Sequence, residues 1–190
     1  QHKLHLPNRA FAILYRTNAQ SRSMEEALRK RGIDYKIYGG VSFYQRKEVK
    51  DMLAYLRLIV NPHDEEALKR IINYPARGIG NTTITRLVYI ANQNNIPIYD
   101  VVKNIRQYPE VGASVGKVEQ FGILMDSFKQ PDETKNAYEV AVDVAKRTGM
   151  LKTLYDDKSV EGISRYENIT EFLNSVQEFT EDDESESEKT

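Results

Sequence analysis

One stretch leaves this chain few ways to fold: Ile71-Ile72-Asn73-Tyr74-Pro75-Ala76-Arg77-Gly78-Ile79-Gly80-Asn81-Thr82-Thr83-Ile84. It lies between two apolar patterns of helical period, and its Pro-x-Arg-Gly-x-Gly centre can continue neither helix. Pro75 lacks an N–H and biases Tyr74 away from the α region, which ends the first helix. Gly78 and Gly80 are free to take positive φ and to let another backbone approach closely. Asn81 is the expected N-cap of the second helix, whose first-turn amides, Gly80 included, point outward at the positive end of its dipole. Thr82 and Thr83 place hydroxyls beside them, and Arg77 stands just upstream. The stretch therefore reads as a helix-hairpin-helix with an anion site, for which a DNA phosphate held by backbone amides is the expected ligand. The competing reading is a tight αα-turn whose glycines serve geometry alone.

Helical periodicity extends through everything after residue 40. Ser42-Phe43-Tyr44-Gln45 has capping-box spacing, and the helix it is expected to open carries Val49, Met52, Leu53, Leu56, Ile59 and Val60 before Asn61-Pro62 ends it. Further helices are expected from about Asp64 to Asn73, Thr82 to Gln93, Pro97 to Ile105, and Ser114 to Phe128. Another is capped by Thr134 and closed by Gly149, and the last runs from about Ser164 to Phe179.

The first 40 residues read differently. Ala10-Phe11-Ala12-Ile13-Leu14-Tyr15 is a continuous apolar run suited to a buried strand, and Tyr35-Lys36-Ile37-Tyr38 alternates like a second. Between them a helix over about Ser21 to Arg31 carries Met24, Ala27 and Leu28 on one stripe. This is a β-α-β pattern, and two strands alone make no stable sheet, so its partners are expected outside this chain. Arg16, Thr17 and Asn18 fall at the carboxyl end of the first strand, where open α/β sheets hold their ligands.

Charge sharpens the contrast. The net charge is −1, but residues 181–190 hold six acids and one lysine, so this tail carries −5 and the rest of the chain +4. A positive body suits phosphate partners, and the tail, with nothing apolar to bury, is expected to be disordered. No apolar run approaches the roughly 20 residues of a membrane span, and the first residues lack the apolar stretch of a signal peptide. With no cysteine the chain has no thiolate chemistry or disulfide, in keeping with an expected cytoplasmic location.

Catalytic signatures are missing. There is no Gly-x-x-x-x-Gly-Lys-Ser/Thr run to cradle nucleotide phosphates. Asp64-Glu65-Glu66 follows Asn-Pro-His and reads as helix capping, not as a metal pair. His2, His5 and His63 have no metal-ligand spacing. The expectation is no catalytic residue, no metal site and no cofactor in this chain. Arg46, Lys47 and Lys50 crowd a helix start, where cations oppose the dipole unless they are solvated or a phosphate compensates them.

Several ordered motifs add to this. Ala12-Ile13-Leu14-Tyr15-Arg16-Thr17-Asn18-Ala19-Gln20-Ser21-Arg22 comes first, then Tyr35-x-Ile37-x-Gly39-Gly40-x-x-Phe43-x-x-Arg46-x-Glu48-Val49-Lys50-Asp51. Tyr55-Leu56-Arg57-Leu58, Asn61-Pro62, Arg77-Gly78-Ile79-Gly80 and Arg165-x-Glu167-Asn168 follow. Together they resemble the UvrD/PcrA family of superfamily 1 DNA helicases, over about residues 10 to 179. The resemblance implies that residues 1–38 are a piece of the RecA-like motor domain 2A and residues 39–179 the helical insertion 2B, with 180–190 as the acidic tail. The fold class it implies is mainly α: a helical 2B-like domain with a helix-hairpin-helix, preceded by a short β-α-β piece of a RecA-like α/β domain.

The resemblance further implies a parent ATP-dependent helicase that moves 3′ to 5′ on single-stranded DNA in repair or replication, with ATP and magnesium bound outside this chain. Arg16 and Asn18 match its single-strand-contacting motif, and Gly78, Ile79, Gly80 and Thr82 its duplex-gripping element. Arg46, Lys50 and Arg77 complete the expected DNA contacts. Expected partners are duplex and single-stranded DNA, the rest of the motor, and repair or transcription proteins. The alternative is a protein-interaction module that autoinhibits the motor or docks such partners, and a shared basic face formed by Arg46, Lys50, Arg77 and Arg86 would favour DNA.

Overall fold

The computed structural model describes residues 7–129 and 135–187, with side chains as far as Glu181. Among the described residues the chain is mainly helical and forms no strand. Its helices are α1 (Ser21–Lys30), α2 (Lys47–Val60), α3 (Glu65–Ile71), α4 (Asn81–Asn94), α5 (Ile98–Lys103), α6 (Val115–Asp126), α7 (Ala137–Arg147), α8 (Met150–Asp156) and α9 (Val160–Ser187).

From α2 onward these helices share one core. The expected apolar stripes supply most of it: Val49 and Met52 of α2, Leu68 and Ile71 of α3, Leu87 of α4, Val101 and Val102 of α5, Val118, Phe121 and Met125 of α6, Val144 of α7, and Ile169 of α9. On α2 the buried face is shifted from the expected stripe: Tyr55 and Leu58 are fully buried, Leu53, Leu56 and Ile59 only partly so, and Val60 is 86% exposed. α2 packs on α3, α7 and α9, and α5 joins α3 and α4 to α6. Gly122 lets α6 approach α5, since a Cβ there would stand 3.2 Å from Val102 Cγ1. Capping follows local chemistry: Asp64 accepts from the Ala67 amide at the start of α3 (2.9 Å). Asn95 closes α4 in the left-handed region, which its short polar side chain tolerates.

Several boundaries differ from expectation. Gly149 not only closes α7 but stands at the N-cap of α8, a helix the periodicity did not separate. Ser42 caps nothing: its hydroxyl donates to Glu25 and a single 3-10 turn, Phe43–Gln45, precedes α2. The N-cap of α4 is Gly80, one residue before Asn81. Thr134 lies outside the described residues, and α7 is capped by Asn136, whose side chain accepts from the Glu139 amide. α9 continues past Thr180 to Ser187, where disorder was expected.

The largest difference lies before residue 43. The two expected strands are not formed, although Phe11 and Thr17 keep extended backbone angles. A strand needs a ladder partner, and none is present for these runs. Their apolar side chains stay open, with Leu14 at 93% and Tyr38 at 81% exposure. α1 is correspondingly inverted. Its expected apolar stripe faces outward at Met24, while Ser21, Arg22 and Glu25 are buried against the helical body.

Candidate nucleic-acid interface

The turn between α3 and α4 is built around two side chains that point into the protein. Asn73 Oδ1 accepts from the amides of Arg77 (2.9 Å) and Ile79 (3.0 Å), which fixes the loop, and Ile79 is fully buried. Arg77 also turns inward. Its Nη1 donates to the carbonyls of Tyr74 (2.8 Å), Ile71 (3.1 Å) and Pro75 (3.3 Å), and its Nη2 to Tyr55 Oη (2.7 Å) and the Thr148 carbonyl (3.3 Å). The guanidinium lies over the rings of Phe121 and Tyr55, at 5.4 and 5.9 Å. Burial pushes the Tyr55 hydroxyl up to about 12 against the opposing pull of Arg77, so it stays protonated and donates to the Tyr74 carbonyl. Arg77 thus spends its donors on the turn itself, and the expected phosphate contact by this side chain is not what the geometry shows.

What faces solvent is backbone. Gly78, Gly80, Asn81 and Thr82 are exposed, and the amides of Gly80, Asn81 and Thr82 have no partner among the described residues. The next two amides, Thr83 and Ile84, fold back on the Gly80 carbonyl at 3.0 and 3.2 Å. These three donors open a 14-residue helix, whose first amides have no intrahelical acceptor. The two glycines differ. Gly78 has φ +71°, but Gly80 has an ordinary extended backbone (φ −79°) and open space where a Cβ would stand. Only Gly78 needs to be glycine for conformational reasons. Of the two threonines, Thr82 is exposed and Thr83 is buried, its hydroxyl donating to Ser114 Oγ (3.0 Å).

That contact leads to a second turn with a similar residue pattern, built on a 3-10 helix over Pro109–Ser114. Ile105, Tyr108, Pro109, Gly112 and Ser114 follow one another at the spacing of Ile71, Tyr74, Pro75, Gly78 and Gly80. Gly112 takes φ +76°, and Ser114 occupies the N-cap of α6 as Gly80 does for α4. The starts of α4 and α6 therefore sit side by side. Two exposed cations join them: Lys117 Nζ donates to the Gly78 carbonyl (3.3 Å), and Arg86 Nη1 to the Val111 carbonyl (3.3 Å). Lys117 was not singled out from sequence. The repeated Tyr-Pro-x-x-Gly was the signal that would have found its neighbourhood.

The remaining expected contacts do not gather here. Arg46 is 7% exposed and bonded internally, and burial holds its guanidinium below the usual range despite Glu25 and Glu48 nearby. Lys50 is half-buried on α2 and has no ion pair among the described residues. Arg16 is exposed at the N-terminal loop, where its amide donates to Gln20 Oε1 (2.9 Å). Asn18 is exposed too, and its Nδ2 donates to Ser164 Oγ (3.3 Å). Arg46, Lys50, Arg77 and Arg86 thus form no common basic face. No group of three His, Cys, Asp or Glu side chains is placed to hold a metal among the described residues, and none of their helices is long and apolar enough to cross a membrane.

Comparison with known proteins agrees with the motifs. The chain is 38% identical over 176 residues to an ATP-dependent DNA helicase PcrA of Leuconostoc citreum, covering 92% of this chain and 24% of that protein. It is 36% identical over 182 residues to the ATP-dependent DNA helicase PcrA of Bacillus subtilis (strain 168), covering 94% and 25%. The PcrA of Staphylococcus aureus (strain Mu50) is 38% identical over 173 residues, covering 90% and 23%. The chain thus spans about a quarter of the length of these relatives. The family described as UvrD-like helicase C-terminal domain matches residues 3–190, and this chain belongs to that family.

Proposed function

We propose that this chain is the duplex-gripping 2B region of an ATP-dependent 3′–5′ DNA helicase, joined to a piece of its 2A motor domain. In this reading residues 39–179 are 2B and residues 1–38 belong to 2A, whose β-α-β unit is completed by strands from the longer protein. The observation that carries it is the row of exposed, unpartnered amides at Gly80, Asn81 and Thr82, set by a turn that Arg77 and Asn73 hold rigid from inside. Such a helix-hairpin-helix binds phosphate without reading base sequence, as an unwinding enzyme requires. Lys117 and Arg86 add charge at its edge.

The same reading accounts for the open apolar residues of the first segment. Phe11, Ile13, Leu14 and Met24 are the surface a RecA-like sheet would cover, so the rest of the motor is the protein partner. Arg16 and Asn18 would then face single-stranded DNA at the motor's edge. Nucleotide chemistry belongs to that remainder: the sequence has no phosphate-loop motif, and no acidic metal cluster is placed among the described residues to hold ATP with magnesium. A cytoplasmic location and a role in DNA repair or replication complete the proposal, with repair or transcription proteins as further partners.

Gly80→Ala is the sharpest test, because the fold has room for the added methyl, so that lost binding would report on the phosphate contact and not on the fold. Fluorescence anisotropy with a duplex carrying a single-stranded tail should show binding weakened by on the order of 1 kcal/mol, with an unchanged helical spectrum. Lys117→Ala should lower the salt dependence by about one unit. Parental affinity and salt slope in both variants would remove the hairpin from the DNA interface.

A further inference from the structure

The first segment meets the helical body mainly through polar groups, and Arg46 lies at the centre of that contact. From the N-cap of α2 its Nη1 donates to the Asn18 carbonyl (2.5 Å) and to Asn168 Oδ1 (2.7 Å), and its Nη2 to Ser21 Oγ (2.8 Å). Asn168, on α9, is 3% exposed and uses its Nδ2 to donate to Glu48 Oε1 (2.5 Å) on α2, itself 6% exposed. The guanidinium plane lies over the Phe43 ring at 5.3 Å. One side chain therefore joins the loop before α1, the start of α2 and the middle of α9. A charge so deeply placed is tolerated only because acceptors surround it. The fork of a guanidinium reaches all three at once, which an ammonium on a flexible stem does not.

We propose that Arg46 is a positioning residue: through the Asn18 carbonyl and Ser21 it fixes the loop bearing Arg16 and Asn18 on α2 and α9, and Asn168 and Glu48 fix Arg46 in turn. Arg16 exposes its guanidinium from the loop that Arg46 holds, so whatever it engages is tied rigidly to the helical body. Arg22 braces the far end of the same contact, with Glu171 at 2.7 Å, Glu178 at 2.9 Å and Glu26 at 3.0 Å. Arg22 alone cannot set the loop, because its partners lie on α9 and α1 and not before Ser21.

The chain has no cysteine, so spin labels can be placed at will. Labels at Lys30→Cys on α1 and Lys152→Cys on α8, both exposed, report the separation of segment and body. The expected result is a narrow distance distribution in the otherwise parental chain and a broad one in Arg46→Ala, Arg46→Lys and Asn168→Ala. The Arg46→Ala/Asn168→Ala pair should be no broader than Arg46→Ala. Amide exchange over residues 16–30 should quicken about tenfold in Arg46→Ala while residues 81–126 stay within about twofold. A narrow distribution in Arg46→Ala overturns the proposal, as does full rescue by Arg46→Lys, which would make charge alone the requirement. Equal acceleration over both ranges also overturns it, since Arg46 would then be an ordinary core residue. None of these readouts uses DNA, so the assignment of the hairpin stands or falls separately.

Discussion

The two parts of this molecule are held by different forces. From Phe43 onward the helices interlock around one apolar core, whereas no residue before Phe43 belongs to it among the described residues. The first segment leaves most of its large apolar side chains exposed and turns two charged ones, Arg22 and Glu25, into the protein. Arg22 lies among Glu26, Glu171 and Glu178, and Glu25 accepts from Ser42 Oγ, the Phe43 amide (3.0 Å) and Tyr35 Oη (3.2 Å). An apolar core stabilises in proportion to the area removed from water, without directional demands on its partners. A polar contact has little net stability but sharp geometry. The body thus closes on a core of its own, whereas the first segment leaves its large apolar side chains open and is held by directional polar contacts.

Leucine truncation gives the largest expected contrast. Leu58 is fully buried in α2, so Leu58→Ala should cost about 3 kcal/mol of unfolding free energy in urea. Leu14 is 93% exposed, and Leu14→Ala should stay within about 0.5 kcal/mol of the parent. Similar losses at the two positions would show that the segment has a core of its own. Arg77→Ala should come next, at about 2 kcal/mol, because the Tyr74 and Thr148 carbonyls and Tyr55 Oη lose a charged donor together. Arg77→Lys should not restore it, since an ammonium cannot span those acceptors. A well-folded Arg77→Ala chain of parental stability that binds duplex weakly would instead return Arg77 to the DNA surface.

Much of the body was legible in its periodicity, because an apolar stripe repeated every three or four residues has few ways to be buried. The direction of individual long side chains was not legible. Arg46 and Arg77 sit in stretches that read as phosphate contacts, and both turn inward to carbonyls that come from distant parts of the chain: Asn18 for one, Thr148 for the other. Gly78 and Gly80 look alike in sequence, yet only Gly78 takes positive φ, a distinction made by the Asn73 side chain and the burial of Ile79. In the first segment the local pattern reads as strands, but pairing is a property of the neighbour as much as of the strand, and the described residues supply no neighbour. The missed α8 has a simpler cause: Gly149 in the left-handed region serves the end of one helix and the beginning of the next.

Acid should separate the two parts by the sign of their response. Burial pushes the Glu25 carboxyl up, but the bonds from Ser42, Phe43 and Ser21 outweigh it and hold the group below its ordinary value of 4.5. A depressed carboxyl stabilises the folded state above its unfolded pKa, and that contribution is lost as pH falls through the lower folded value. Asp51, on α2, goes the other way. Burial raises its carboxyl above 3.8 despite Arg70 at 2.6 Å, and its Oδ2 has no hydrogen-bond partner. A raised carboxyl contributes most when protonated, below its unfolded pKa, and that contribution is lost as pH rises through the folded value. Lowering pH from neutral to below about 4 should therefore release α1 while this part of the body is relieved of a charge. Amide exchange corrected for its intrinsic pH dependence should show protection falling over residues 21–30 before residues 47–60. Glu25→Gln should move that loss to neutral pH, and Asp51→Asn should leave α2 protected across the range. Protection that falls first in α2 would mean that the polar contact, and not the apolar core, is the stronger of the two.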